Sequence, residues 1–339
     1  MKKVLSFGEI LLRLSPQDHK MIVQSNTDLL EIFYGGAELN ISIALSNFGI
    51  KSGYLTKVPD NALGHKGIKY LKQYGVNTDD IELGGERIGI YFLENGYSLR
   101  PSVVTYDRKY SAFSEMEMTD EKIEKILSKY DVLFLSGITL SVSEKSFDLS
   151  KKIIKTAKKM KKEVIFDCNY RSKLISLEEA SKRYKEIIND VDIIFAGYLD
   201  FIKIFGMEYN LYDGTETYEE YYKALYKKVY EKYNFKYVIS SIRKPISSNR
   251  NIYSGIMTDG KNVAKGKEYE VEIKDRVGTG DAFTSGGIYS YLSGNEMEEM
   301  INFAIGSGVL KHTIYGDVSE FGKEDILKII NADSYDVVR

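Results

Sequence analysis

Three features of this 339-residue chain predict an α/β fold, a mostly parallel central sheet with helices on both faces. Short apolar runs alternate with longer segments of helical periodicity, the pattern of successive βαβ units. Glycine-rich turns fall mostly at the ends of the apolar runs, where ligands of such sheets bind. No linker, repeat or low-complexity segment divides the chain.

The elements follow in order. Val4 to Phe7 reads as the first strand, and Glu38 to Phe48 as a helix closed by Gly49. Tyr54 to Val58 is a strand and Gly64 to Tyr74 a helix closed by Gly75, glycine being the residue that ends helices in a left-handed turn. Then come helix Glu121 to Lys129, strand Val132 to Ser136, helix Ser143 to Lys162 and strand Glu163 to Asp167. Helix Leu177 to Asn189, strand Asp192 to Ala196, helix Tyr218 to Tyr233 and strand Tyr237 to Ser241 continue the alternation. The tail 332–339 is expected to fray.

One region breaks the rhythm. Arg87 to Ala112 holds two strand patterns, Ile88 to Leu93 and Ser102 to Arg108, with no helix between them, which predicts a hairpin. With Leu11 to Leu14 and Ile32 to Tyr34 it would form a small accessory sheet. That sheet is either a lid that excludes water from a ligand or a surface hairpin without a gating role. The whole chain, 1–339, is thus expected to be one domain with a lid built mainly from 87–112 and short segments near 11–14 and 32–34.

Bulk composition narrows the function classes. Hydrophobic content of 43% and charged content of 28% suit a globular protein. A formal net charge of −2 favours neither nucleic acid nor an anionic membrane. A single cysteine, Cys168, excludes an internal disulfide framework, and a buried inert thiol is expected there. His19, His65 and His312 are scattered, which argues against a histidine metal site. Glu9 and Arg13 interrupt the apolar start, so neither a signal peptide nor a membrane span is expected, and a reducing cytoplasm is the expected location.

The most informative segment is DRVGTGDAFTSGG, Asp275 to Gly287. The strand-like stretch Tyr269 to Lys274 precedes it, and apolar residues at helical spacing follow. A strand, a glycine turn and a helix start present unpaired backbone N–H groups and the positive end of a helix dipole, a site for an anion such as phosphate. Asp281 beside an anion site suits a base that takes a proton from an attacking hydroxyl. The plainer reading is a helix N-cap, for which aspartate is favoured.

GTGD followed by AF is neither a phosphate-binding Walker loop nor a dinucleotide fingerprint. It resembles the carboxyl-terminal signature of the ribokinase-like (PfkB) sugar kinases. YGGAELNISIALSNFG, Tyr34 to Gly49, resembles that family's amino-terminal sugar-binding motif. TYDRKYSAFS (Thr105 to Ser114), FDCNYR (Phe166 to Arg171) and KHTIYGD (Lys311 to Asp317) are similar to the versions in 2-keto-3-deoxygluconate kinases. The likeness covers nearly the whole chain and implies a ribokinase-like three-layer fold with a small β-sheet lid.

The resemblance also implies roles. Gly35, Gly36 and Asn40 would hold sugar hydroxyls. Tyr91, Tyr106, Arg108, Asn169 and Arg171 would contact a sugar acid, and Asp317 would close its site. Two arginines suit that substrate independently, because guanidinium forks bind carboxylates bidentately. ATP would lie over the carboxyl-terminal half of the sheet, with Gly278, Thr279 and Gly280 facing the transferring phosphoryl group and Asp281 as base. Ser240, Arg243 and His312 would border the nucleotide. Mg2+ is implied as the partner of ATP and, as in many members, K+ near the turn.

Two departures stand out. The family's Asn-x-x-Glu metal motif is replaced by GYLD, which leaves Asp200 as the metal candidate and no amide at Gly197. The stretch Ile239 to Gly255 lacks the usual glycine-rich turn after its strand. The expected activity is phosphorylation of 2-keto-3-deoxygluconate to its 6-phosphate. A kinase of another sugar such as fructose, or a non-catalytic sugar-binding regulator of the same fold, remain alternatives. The lid edge would allow a homodimer or higher homo-oligomer.

Overall fold

The computed structural model describes residues 2–24 and 29–332. The tail expected to fray lies, from residue 333 onward, outside the described residues. Among those described, nine strands form the main sheet. Its spatial order is Val263–Lys265, Arg250–Thr258, Tyr237–Ser247, Ile193–Phe195, Glu163–Asp167, Val132–Ser136, Val4–Phe7, Ser52–Leu55. Tyr269–Glu272 also pairs with Arg250–Thr258. Pairing is parallel from Tyr237–Ser247 to Ser52–Leu55, and antiparallel around Arg250–Thr258.

The layering comes from strand alternation. Successive side chains point to opposite faces, so a parallel strand buried on both sides must be apolar throughout. Leu133, Leu135, Val164 and Phe166 pack on one face against Ile123, Phe147, Ile153 and Leu225 of the helices there. Val132, Phe134, Ile165 and Ile193 pack on the other against Ile41, Leu45, Ile288 and Ile301. Each fully buried side chain of this size contributes roughly 1.5–3 kcal/mol. Helix starts are written locally: Thr217 accepts from the Glu220 N–H while the Glu220 carboxylate accepts from the Thr217 N–H.

A second sheet of four strands holds, in order, Leu30–Gly35, Leu11–Pro16, Gly89–Glu94 and Val103–Asp107. It is the accessory sheet the sequence predicts. Tyr91 pairs with Tyr106 across its hairpin.

Some elements differ from expectation. Tyr54 to Val58 is two strands, because after Leu55 the chain leaves the main sheet and Lys57–Val58 pairs with Glu82–Leu83. Tyr237 to Ser241 continues to Ser247 and returns as Arg250–Thr258, so the stretch without a glycine turn is a β-hairpin. Met297–Lys311 is a helix the periodicity does not reveal. It is buried on nearly all sides, so it has no polar stripe to mark its period. No helix among the described residues is long and apolar enough to cross a membrane.

Candidate active site

A cleft of about 800 Å3 opens along the carboxyl ends of the parallel strands, beneath the small sheet. The helix Thr279–Leu292 points its amino terminus into it. Gly278 turns the chain into that helix with φ of 75°, and a Cβ there would lie 1.8 Å from the Asp317 carbonyl oxygen. Only glycine meets both demands. The Thr279 amide and hydroxyl fold back onto the Arg276 carbonyl at 3.4 and 3.0 Å. Gly280 and Asp281 follow Thr279 in the first turn of the helix, where N–H groups have no intrahelical acceptor. A Cβ at Gly280 would meet no protein atom within 4 Å.

Asp281 sits at the centre. Asn40, on the helix Ala37–Asn47, donates from Nδ2 to Asp281 Oδ2 at 2.7 Å. Gly36 starts that helix with φ of 139°, in a place where a Cβ would lie 2.2 Å from the Glu9 carbonyl oxygen. Burial pushes the Asp281 carboxyl up to about 6, against the lowering effect of the Asn40 hydrogen bond and the Arg171 charge. At neutral pH it is mostly ionised, yet more basic than an exposed aspartate.

Two further carboxylates share the cleft floor. Asp167, at the end of its strand, accepts from the Thr284 hydroxyl at 2.8 Å and from the Asn169 N–H at 3.1 Å. Burial raises it to about 7, helped by the charges of Asp281 and Asp200. Asp200 opens a π-helical turn and accepts from the Gly197 N–H at 2.8 Å. Burial raises it to about 6. Among the described residues no group of three or more histidine, cysteine, aspartate or glutamate side chains is placed to hold a metal ion. Mg2+ commonly uses one or two carboxylates, its own waters and substrate phosphates. Asp167 and Asp200 fit that use, as hard oxygen donors whose burial penalises their charge.

The cationic side of the cleft holds Arg108, Arg171, Arg243 and Arg276. Arg108 is buried against Glu9, donating from Nε to Oε2 at 2.9 Å and also from Nη2. Its charge is therefore already matched. Arg171 is exposed and donates from Nη1 to the Tyr170 carbonyl at 3.3 Å. Tyr106 lies under Arg108, whose guanidinium is 5.7 Å from the ring centre.

Most of the residues expected at a site line this cleft: Gly36, Asn40, Tyr91, Tyr106, Arg108, Asn169, Arg171, Asp200, Arg243, Asp317 and the 278–281 turn. Three do not. Gly35 lies behind Asp317, close to its Oδ2. Ser240 faces away, bonded to the Ala196 carbonyl and the Tyr226 hydroxyl at 2.8 Å from the latter. His312 is fully buried, with Nδ1 2.7 Å from the Gly308 carbonyl, and burial lowers it to about 4, so it stays neutral. Cys168 is buried as expected, and burial raises its thiol well above the ordinary value. Sequence reasoning passed over Arg276, although it stands inside the glycine-turn segment, and Asp167, although it ends a strand two residues before Asn169.

A helix start open to the cleft, a carboxylate raised by burial and further hard oxygen donors together suit phosphoryl transfer to a hydroxyl. A family model described as pfkB family carbohydrate kinase matches residues 1–319. The chain belongs to the PfkB carbohydrate kinase family. It is 38% identical to the crystallised 2-dehydro-3-deoxygluconokinase of Thermotoga maritima, with a TM-score of 0.92 and 98% of each chain covered. It is 26% identical to the 2-dehydro-3-deoxygalactonokinase of Haloferax volcanii over 328 residues, 97% of this chain and 96% of that one. It is also 25% identical over 310 residues to a 5-dehydro-2-deoxygluconokinase of Clostridium perfringens, covering 91% and 86%.

Proposed function

We propose that this protein transfers the γ-phosphoryl group of ATP to the terminal hydroxyl of 2-keto-3-deoxygluconate, giving the 6-phosphate. The carrying observation is that Asp281, at a helix start and raised to about 6, shares one cleft with the exposed guanidinium of Arg171. The first arrangement suits proton removal beside a phosphoryl group, and the second suits a carboxylate on the sugar. Asn40 orients the base and, through its own amide, the hydroxyl beside it.

Mg2+ bound with the nucleotide would neutralise phosphate charge, held from the protein side by Asp167 and Asp200. Gly280 and Asp281 N–H groups would face the charge that develops on the transferring oxygens. Asp281 accepts the proton late, when bond formation has acidified the alcohol. K+ near the turn would have to compete with Arg13, which already sets a fixed cation against Asp275 at 2.9 Å. We take Arg13 as the cation there, and an unchanged rate when K+ is replaced by a bulky organic cation checks this. The enzyme would work in a reducing cytoplasm. A homodimer through the lid edge is supported by Ile32, which is 59% exposed. A monomer alone in analytical ultracentrifugation would rule the dimer out.

An ADP-release assay over a panel of 2-keto-3-deoxygluconate, 2-keto-3-deoxygalactonate and fructose tests the assignment. Turnover restricted to the sugar acids supports it. Preference for fructose would replace the substrate, and binding without turnover on every sugar would replace the enzyme with a regulator.

A further inference from the structure

On that kinase reading, the cleft holds a cationic pair, Arg243 and Arg276, that the base and metal roles leave unused. Arg243 lies on the Tyr237–Ser247 strand opposite Tyr253, and Arg276 lies two residues before Gly278. Both line the cleft. Neighbouring cations on the same hairpin are matched, Lys244 with Glu268 and Arg250 with Glu270. Among the described residues no carboxylate lies within ion-pair distance of Arg243 or Arg276. The acids of the adjoining loop, Asp275 and Asp317, are engaged by Arg13.

Arg276 is also held in place. Its Nη2 donates to the Ser248 carbonyl at 3.1 Å and to Asn251 Oδ1 at 3.4 Å, so the hairpin tip fixes the guanidinium. Its buried Nε has no hydrogen-bond partner. The Arg243 charge is close enough that, after burial, it is the second cause lowering the Arg276 guanidinium. Two like charges held near each other and beside a helix amino terminus repel unless an anion of more than one charge joins them.

We infer that Arg243 and Arg276 form a two-guanidinium clamp for the polyphosphate of the nucleotide. Guanidinium forks match phosphate oxygens bidentately. A side-chain donor on the hairpin and a second one braced by it would thereby do what backbone N–H groups of a glycine turn would do, and this hairpin has no such turn. Arg276, nearer the helix start, would take the oxygens closest to the transferring group. Arg243 would take those behind it.

The test uses calorimetric titration of the intact protein in excess chelator, with ADP, inorganic tripolyphosphate and adenosine as probes. Arg243→Gln and Arg276→Gln are each expected to weaken ADP and tripolyphosphate binding by about ten- to a hundredfold, with adenosine unchanged. Arg243→Gln is the cleaner variant, since Arg243 is exposed and anchors nothing. Arg243→Lys should fall between, because it keeps the charge and loses the fork. Variants that bind metal-free ADP and tripolyphosphate as the unaltered protein does would overturn the clamp and leave the kinase reading standing. Tripolyphosphate binding that depends on both arginines while ADP does not bind would assign the pair to another polyanion and overturn the clamp as a nucleotide site.

Discussion

Arg13 Nη1 lies 2.9 Å from Asp275 Oδ2, and both side chains are only 1% exposed. The same guanidinium places Nε 3.0 Å from Asp317 Oδ1. Asp275 also accepts from the Val277 N–H at 3.0 Å and the Gly316 N–H at 3.2 Å. Tyr91 of the small sheet donates to Asp317 Oδ2 at 2.6 Å. The small sheet, the glycine turn and the loop before Val318 are thus joined by one buried charge network. Burial alone would lower the Arg13 guanidinium, but Asp317 and Asp275 outweigh it. Arg13→Gln should destabilise the protein by about 3–5 kcal/mol, the usual cost of leaving buried carboxylates unmatched. Urea unfolding reads this directly, and an unchanged midpoint would remove the network from the list of stabilising features.

Asp281 and Asp167 should govern the acid side of the rate profile. With Asp281 raised to about 6, kcat/KM should climb as pH passes through that value. Asp281→Asn should lower kcat about 10^2- to 10^4-fold while ADP still binds. The Asp281 charge helps burial raise Asp167 to about 7, so Asp167 is the later of the two to ionise. Asp167→Asn should therefore move the acid limb to lower pH. A limb that stays in place would show that Asp167 does not shape the profile.

Stability should run against activity. Asp167, Asp200, Asp281 and Asp317 are all raised by burial, to about 7, 6, 6 and 6. A carboxyl raised in the folded state binds its proton more tightly there than in the unfolded chain. Its contribution is complete below the unfolded value near 4 and is lost as pH rises through about 6 to 7. Glu163 runs the opposite way: Lys2, Lys236 and Tyr291 overcome burial and hold it near 2, so its contribution is lost only as pH falls toward 2. Thermal unfolding without nucleotide should give a higher Tm at pH 5 than at pH 8, and Mg2+ with ATP should restore most of the difference. A higher Tm at pH 8 without ligand would contradict this.

Gly278 and Gly280 should separate folding from function. Gly278→Ala forces a side chain into positive φ, costing about 1–2 kcal/mol, and drives its Cβ into the Asp317 carbonyl. Poor yield or a markedly lowered Tm is expected. Gly280→Ala meets only open cleft, so Tm should hold within a degree or two while nucleotide affinity falls. Equal losses of Tm in both proteins would refute the distinction.

Arg171 is the better probe of substrate charge. Arg171→Gln should raise KM for a sugar acid about ten- to a hundredfold and leave KM for a neutral sugar unchanged. Arg108→Gln leaves Glu9 buried without its partner, so its effect would mix affinity with stability. An identical KM shift for acidic and neutral sugars would cancel the carboxylate role.

Much of the architecture is legible from period alone. The strands Val4–Phe7, Val132–Ser136 and Glu163–Asp167 fall where the apolar runs predict, because a strand buried on both faces has to be continuously apolar. The accessory sheet is legible for the complementary reason, since its hairpin alternates. The helix Met297–Lys311 is not legible, being buried all round.

By itself the sequence determined the alternating α/β order, the glycine turn at 278–280 and the aspartate beside it. These are local properties, set by spacing and by the conformations that glycine permits. Only the tertiary structure decided which charges meet. Arg13 and Asp275 are 262 residues apart, and Asn40 and Asp281 are 241 apart. It paired Arg108 with Glu9 and, among the described residues, left Arg171, Arg243 and Arg276 with no carboxylate at ion-pair distance. It also turned Ser240 and His312 away from the cleft. A charged or polar side chain reads the same in sequence whether it is matched, exposed or buried. Its burial and its partner depend on packing between elements far apart in the chain, and those two quantities set the chemistry here.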